Sequence, residues 1–138
     1  MKFSPLLVLA LLLVACTERS TDESQIRELI ASAEQAAEAR DTSDVLALVA
    51  DDYVDAQGRD RAALRGALMG FFALHPRLEL IVNIESIAFP ADGLAQARVS
   101  VRGLDTSRLD VGESVTLDVE LRRRDGEWRV ARADRAGR

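Results

Sequence analysis

The chain has 138 residues, enough for one domain, and a formal net charge of −5 at pH 7. Its only lysine is Lys2, and the part after Cys16 carries 17 arginines against 23 aspartates and glutamates. This acidic balance argues against a nucleic-acid partner, because proteins that bind nucleic acids usually present a basic face.

The first 16 residues have the parts of an export signal. Lys2 supplies the positive charge, and Leu6 to Val14 form an apolar run that is shorter than the roughly 20 residues needed to span a membrane. The run ends in Leu13-Val14-Ala15-Cys16, which resembles the lipobox of bacterial lipoproteins. The resemblance implies that residues 1–15 are removed as a signal peptide and that Cys16 is acylated, for example with palmitate. An ordinary signal peptide with a chance cysteine is the alternative.

The same resemblance predicts where the protein is held. In Gram-negative lipoproteins, an aspartate directly after the acylated cysteine tends to retain the protein in the inner membrane, and this chain has Thr17 there. We therefore expect residues 16–21 to form a lipidated cysteine and a short tether at the outer membrane, facing the periplasm. An acylated Cys16 leaves the domain over 22–135 without a thiol for a disulfide.

The chain after the tether begins with three helical stretches. Ser20 and Glu23 have the spacing of a capping box, and apolar residues follow at helical spacing, which predicts a helix over about 22–39. Asp41 offers a cap for a short second helix, and Asp60 a cap for a third.

After Pro76, which is expected to end the third helix, the period of the apolar residues changes to two. This pattern predicts about four main antiparallel strands with one dry and one wet face. Turns are predicted at 90–93 and at Asp125-Gly126, and a polar loop over 103–112. The residues predicted on the dry face are Val82, Ile84, Ala97, Val99, Val101, Val115, Leu117, Val119, Leu121 and Val130.

The order of three helices and then a sheet resembles the nuclear transport factor 2-like (SnoaL-like, cystatin-like) superfamily over about 22–135. Local matches are Asp51-Asp52-Tyr53 leading to Gly58-Arg59, and the closing segment 124–130. The resemblance implies an α+β fold in which a curved antiparallel sheet wraps around three helices as a cone, with a pocket between them. It does not imply one chemistry, because the fold hosts enzymes, ligand binders and assembly modules.

Candidate site residues are few. Enzymes of that family, such as ketosteroid isomerases and dehydratases, place Asp, His or Tyr inside the cone, whereas the predicted dry face is aliphatic. Tyr53 and Asp55 in the loop and His75 at a helix end remain as possible pocket residues. We expect solvent to leave their pKa values near the ordinary ones, and we interpret His75 as a helix cap. No catalytic residue, cofactor or metal site is predicted.

Two functions are therefore considered. The predicted one is an envelope module that binds a small apolar ligand or a partner protein without catalysis, because the dry face offers no proton-transfer group. The alternative is a small-molecule isomerase, dehydratase or cyclase. Residues 122–138 contain seven arginines against three acids, which suits contact with lipid phosphates, although solvated strand charges are the preferred interpretation. Both a monomer and a homodimer are compatible with the sequence.

Overall fold

The computed structural model describes residues 5–105 and 110–137. Side chains before Arg19 lie outside the described part, and so does the predicted acylation of Cys16. The elements confirm the predicted α+β class, with three helices and one antiparallel sheet in the order β1-β2-β3-β4. In chain order they are α1 (Pro5–Glu38), α2 (Thr42–Ala47), α3 (Arg61–Leu74), β1 (Leu78–Ala91), β2 (Leu94–Asp105), β3 (Asp110–Arg124) and β4 (Glu127–Arg135).

Helix α1 differs from the prediction at its start. It runs without a break through Ser20, so the predicted capping box at Ser20 and the helix start at about residue 22 are wrong. The Leu- and Ala-rich run before Ser20 has high helix propensity and carries the helix past this local stop signal. Among the described residues, no helix combines the length and the apolar character that a membrane crossing requires.

The other two helices begin at the predicted caps. An Asp41 carboxylate oxygen accepts from the Asp44 N–H at 3.0 Å, and an Asp60 oxygen accepts from the Ala63 N–H at 2.8 Å. Helix α3 ends at Leu74, and its C-cap His75 lies directly before Pro76, as the backbone restriction of a residue before proline predicts.

The sheet is longer at one end than predicted. Strand β2 continues to Asp105 and β3 begins at Asp110, so the predicted polar loop over 103–112 is wrong for most of its length. Asp105 pairs with Leu78 of β1 and with Asp110 of β3, and these ladder contacts extend both strands.

Two tight turns lie together at the opposite end, which we call the hairpin end. Gly93 joins β1 to β2 with φ of 68°, and Gly126 joins β3 to β4 with φ of 78°, a region that glycine enters without steric cost. The end where β1 begins, β2 ends and α3 ends is called the open end.

The predicted dry face is the inner face of the sheet, and its residues pair across the strands. Val82, Val101 and Val115 form one row, and Leu121 and Val130 lie in another. Burial along this face is uneven, and Leu78 at the open end is buried again. Ala95 and Leu121 are 0% exposed, whereas the row of Val82, Val101 and Val115 is only half-buried.

The two edge strands of the sheet, β4 and β1, are covered by different parts of the chain. The segment after α2 runs along β4, where the Ala50 N–H donates to the Val130 carbonyl at 2.9 Å. On β1, the Leu80 N–H donates to the Glu38 carboxylate at 3.0 Å. The β1 ladder is also irregular at Glu85 and contains Pro90, which has no N–H to offer.

Helix α3 contains two glycines at exposed positions, Gly66 and Gly70, where an added Cβ would meet nothing within 4 Å. We expect Gly66→Ala and Gly70→Ala each to raise the free energy of unfolding by about 0.5–1 kcal/mol, because alanine loses less backbone entropy in a helix. Urea denaturation measures the change. Gly126→Ala is the control, and its positive φ should make the same substitution destabilising. Unchanged or lower stability at both α3 positions would contradict a helix there.

Candidate functional site

The inner face of the sheet carries a group of apolar side chains near the open end that are incompletely covered. Val82, Val101, Val115 and Leu117 all retain partial exposure there, although they lie on the side that faces the helices. Helix α3 lies beside this surface. Its first residue, Arg61, donates to the Leu46 carbonyl of α2 at 2.9 Å, and its C-cap contacts the end of β2. An accessible apolar surface bordered by a few polar groups is the usual form of a small-molecule site.

A histidine and a carboxylate meet at the rim of this surface. His75 Nδ1 lies 3.2 Å from an Asp105 carboxylate oxygen. The Asp105 side chain is 6% exposed and that of His75 is 30% exposed. The Phe71 ring lies 4.4 Å from the imidazole and restricts it from one side. If the shared proton is on Nδ1, Nε2 carries the lone pair that a general base needs.

Asp105 is a site residue that the sequence analysis missed. The inner series of β2 runs over odd positions from Ala95, and extending it past Val101 and Gly103 leads to Asp105. Its partner in β1 is Leu78, which is also buried. The expectation that the dry face contains only aliphatic groups is therefore wrong, and the alternation itself was the signal that could have found this carboxylate.

Tyr53 and Asp55 are buried, at 3% and 4% exposure, so the expectation that solvent screens them is wrong. The Tyr53 hydroxyl donates to the Ala133 carbonyl of β4 at 3.4 Å. One Asp55 oxygen accepts from the N–H groups of Gln57 and Arg59, each at 3.0 Å. The other Asp55 oxygen lies 2.6 Å from the Arg59 Nε. These bonds hold the turn over 55–59 in shape.

The pKa values of both groups move away from the ordinary ones. Burial raises the pKa of Tyr53, and the nearby Asp55 charge adds to that effect. Burial also raises the pKa of Asp55, but the hydrogen bonds and charge of Arg59 outweigh it, and the pKa of Asp55 is lowered. Tyr53 thus stays protonated and Asp55 stays ionised at neutral pH, and neither is tuned for proton transfer there.

The three predicted pocket residues are not brought together. Tyr53 and Asp55 hold the segment beside β4, whereas His75 pairs with Asp105 at the end of β2. Within the described part of the chain, no hydrogen bond joins His75 to either of the other two. The described residues likewise contain no group of three His, Cys, Asp or Glu side chains placed to hold a metal ion.

The arginines near the C-terminus are largely neutralised by acids. Arg123 lies 2.7 Å from Asp22 and 3.0 Å from Asp92, and Arg124 lies 2.8 Å from Asp52. The further pairs are Arg122 with Glu120, Arg129 with Glu127 and Arg132 with Asp134. This pairing favours the interpretation of solvated strand charges over a lipid-phosphate surface.

The outer face of the sheet carries a depression of about 390 Å³, lined by charged side chains. Within it Arg98 binds Asp118 at 2.8 Å, and this hydrogen bond lowers the pKa of Asp118. Arg132 likewise pairs with Asp134, and Glu120 pairs with Arg122, so these charged side chains each have a partner of opposite sign.

Solved structures contain the same arrangement of helices and strands. A cystatin-like-fold protein of unknown function from Nostoc punctiforme is 19% identical, with a TM-score of 0.70 over 83% of this chain and 90% of its own. An NTF2-like protein of unknown function from Pseudomonas putida is 24% identical, with a TM-score of 0.67 over 83% and 84%. This chain has the NTF2-like, or cystatin-like, fold.

A third similar structure belongs to a protein named for an enzymatic activity. It is a protein from Novosphingobium aromaticivorans assigned as a scytalone dehydratase, 17% identical, with a TM-score of 0.66 over 85% of this chain and 84% of its own. Neither a protein-family model nor a curated protein matches the sequence. At these identities the NTF2-like likeness is one of fold alone.

Proposed function

We propose that the protein is a lipid-anchored envelope protein that holds a small apolar ligand on its inner face without catalysis. The observation that carries the proposal is a row of half-buried aliphatic side chains on the inner face, Val82, Val101 and Val115. Leu121 is 0% exposed near the hairpin end, and Val101 and Val115 are partly exposed near the open end. A ligand that covers such a surface removes apolar area from water, and this lowers the free energy of the complex.

The free energy gained by apolar burial is of the same order as the cost of association, so a polar contact is needed beside it. Burial of apolar area contributes about 25 cal/mol per Å², so a ligand that covers about 200 Å² gains about 5 kcal/mol before the cost of association. The imidazole of His75 at the rim supplies one polar contact that orients a ligand with a single hydrogen-bonding group. Small hydrophobic molecules with one polar end fit this combination.

The anchor is supported by the Leu13-Val14-Ala15-Cys16 sequence at the end of an apolar run. A thioether-linked diacylglycerol and an amide-linked acyl chain on Cys16 would hold the domain stably, because two or more chains are needed for lasting attachment. Thr17 in place of aspartate favours the outer membrane, with the domain in the periplasm.

The ligand site is tested by fluorescence titration of residues 17–138 with the apolar probe 1-anilinonaphthalene-8-sulfonate. Circular dichroism checks that this part of the chain is folded. Val101→Phe fills the inner face, and we expect it to weaken binding of the probe at least tenfold. Ser100→Phe is the matched control, because the adjacent strand position lies on the outer face and its substitution should leave the affinity unchanged. Equal loss in both variants, or in neither, would contradict a site on the inner face.

The His75–Asp105 pair favours a second candidate function, proton transfer in an isomerase or dehydratase. Deuterium exchange of a panel of enolisable ketones in D₂O measures this activity for the folded chain, His75→Gln and Asp105→Asn. The non-catalytic proposal predicts no rate above buffer for any of them. A rate that falls at least a hundredfold in both variants, with the melting temperature retained, would replace the binding proposal by an enzymatic one.

A further inference from the structure

Helix α1 connects the two ends of the sheet. At the hairpin end, an Asp22 carboxylate oxygen lies 2.7 Å from Arg123 and accepts from the Trp128 indole N–H at 3.3 Å. At the open end, the Glu38 carboxylate accepts from the Leu80 N–H at 3.0 Å. The chain from Asp22 to Glu38 is helical throughout, and at a rise of about 1.5 Å per residue the two residues lie about 24 Å apart along the axis.

The contacts of Asp22 fix the start of the domain firmly. Asp22 and Arg123 are 17% and 30% exposed, and the guanidinium of Arg123 lies 5.4 Å from the centre of the Trp128 ring. Arg123 also binds Asp92 in the other hairpin. One arginine therefore joins α1 to both hairpins, and the orientation of α1 follows the sheet.

The distance from Cys16 to this fixed point is short. Asp22 lies six positions after Cys16, and the helical backbone between them spans about 9 Å. Fully extended, these six steps reach about 20–22 Å, which is close to the length of α1 from Asp22 to Glu38. A lipid on Cys16 therefore lies nearest the hairpin end, and it approaches the open end only if the tether unwinds completely and folds back along the domain.

The side of α1 over residues 20–38 gives the domain no reason to lie flat on a bilayer. Its exposed surface carries polar side chains, among them Glu28 and the ion pair of Glu23 with Arg27. A membrane-surface helix needs an apolar face or unpaired basic residues that attract anionic lipids, and residues 20–38 of α1 present neither. Helix α3 exposes Phe71 and Leu74, so a label at position 74 tests whether that face contacts the bilayer.

We infer that the lipid sets the hairpin end against the membrane and turns the open end away from it. The inner face then exchanges its ligand with the aqueous compartment or with a donor located there, and not with the bilayer that holds the protein. This inference rests on the proposed anchor and ligand site, and adds the direction from which the ligand enters.

The test uses the acylated full protein in phosphatidylcholine vesicles that contain a lipid with a nitroxide headgroup. Cys16 is the only cysteine, so once it is acylated an introduced cysteine is the only free thiol for a fluorophore. Asp92→Cys and Glu127→Cys mark the hairpin end, with side chains 97% and 68% exposed in the unmodified protein. Glu28→Cys marks the side of α1, and Leu74→Cys marks the open end, where Leu74 is 64% exposed.

We expect the nitroxide lipid to quench both hairpin labels at least threefold more than the Leu74 label, with the Glu28 label between them. Iodide in the buffer should give the reverse order. Equal quenching at positions 28 and 74, or stronger quenching at 74, in protein that floats with the vesicles would overturn the inference alone. Protein that does not float with vesicles would overturn the proposed anchor and this inference together.

Discussion

Cys16→Ser is expected to release the protein from membranes almost completely. The substitution removes every acyl chain at once, and even one remaining chain binds a bilayer with an association constant of only about 10⁴ M⁻¹. Fractionation of cells, together with labelling by radioactive palmitate, measures the change. The unsubstituted protein should carry the label and sediment with membranes, and the variant should do neither.

Thr17→Asp provides the matched variant for this experiment. It keeps Cys16, so the palmitate label should persist, but the aspartate should move the protein to the inner membrane on a sucrose gradient. Membrane association and labelling that survive Cys16→Ser would disprove the anchor. An unsubstituted protein found in the inner membrane would disprove the proposed location while leaving the acylation intact.

Leu121→Ala is expected to give the largest loss of stability among single substitutions on the inner face. Its side chain is 0% exposed and belongs to the core formed with Ile26 and Trp128. Truncation of a buried leucine removes transfer free energy and leaves a cavity, a loss of about 3–5 kcal/mol. This is a large part of the total stability of about 5–15 kcal/mol that a domain possesses, so the variant should unfold at much lower urea concentration.

Leu117→Ala is the matched control, because it makes the same change on the same strand at a half-buried position. We expect it to cost less than half as much as Leu121→Ala, since its removal exposes no new cavity in a packed core. Equal losses at the two positions would mean that the packing is uniform along the inner face, and the proposed ligand surface would then lose its support.

The elements of the fold followed from local signals. The periods of apolar residues predicted three helices and four strands, and Asp41 and Asp60 marked two helix starts correctly. The predicted start of α1 was wrong because the Ser20 capping box is a local signal and does not depend on the helical run before it. The loop over 103–112 was overestimated because strand pairing, and not composition, sets where β2 and β3 end.

The site was less accessible to prediction because it depends on contacts between distant residues. The burial of Tyr53 arises from β4, 80 residues further along the chain. His75 contacts Asp105, which lies 30 residues further along the chain. Only the alternation of inner and outer side chains in β2, continued beyond Gly103, indicates that the Asp105 carboxylate lies on the inner face. Residue types alone identified His75 and Tyr53 as candidates, but they did not reveal that the two belong to separate parts of the molecule.

The irregular outer edge of β1 has a consequence for a protein confined to a surface. Lipid attachment gathers molecules in two dimensions, where a long unpaired strand would readily recruit its copies into a continuous sheet. Three features oppose this growth: Glu38 occupies the Leu80 N–H, the ladder is displaced at Glu85, and Pro90 offers no donor. With the proposed anchor, the edge of β1 would therefore keep neighbouring molecules separate at high density on the membrane.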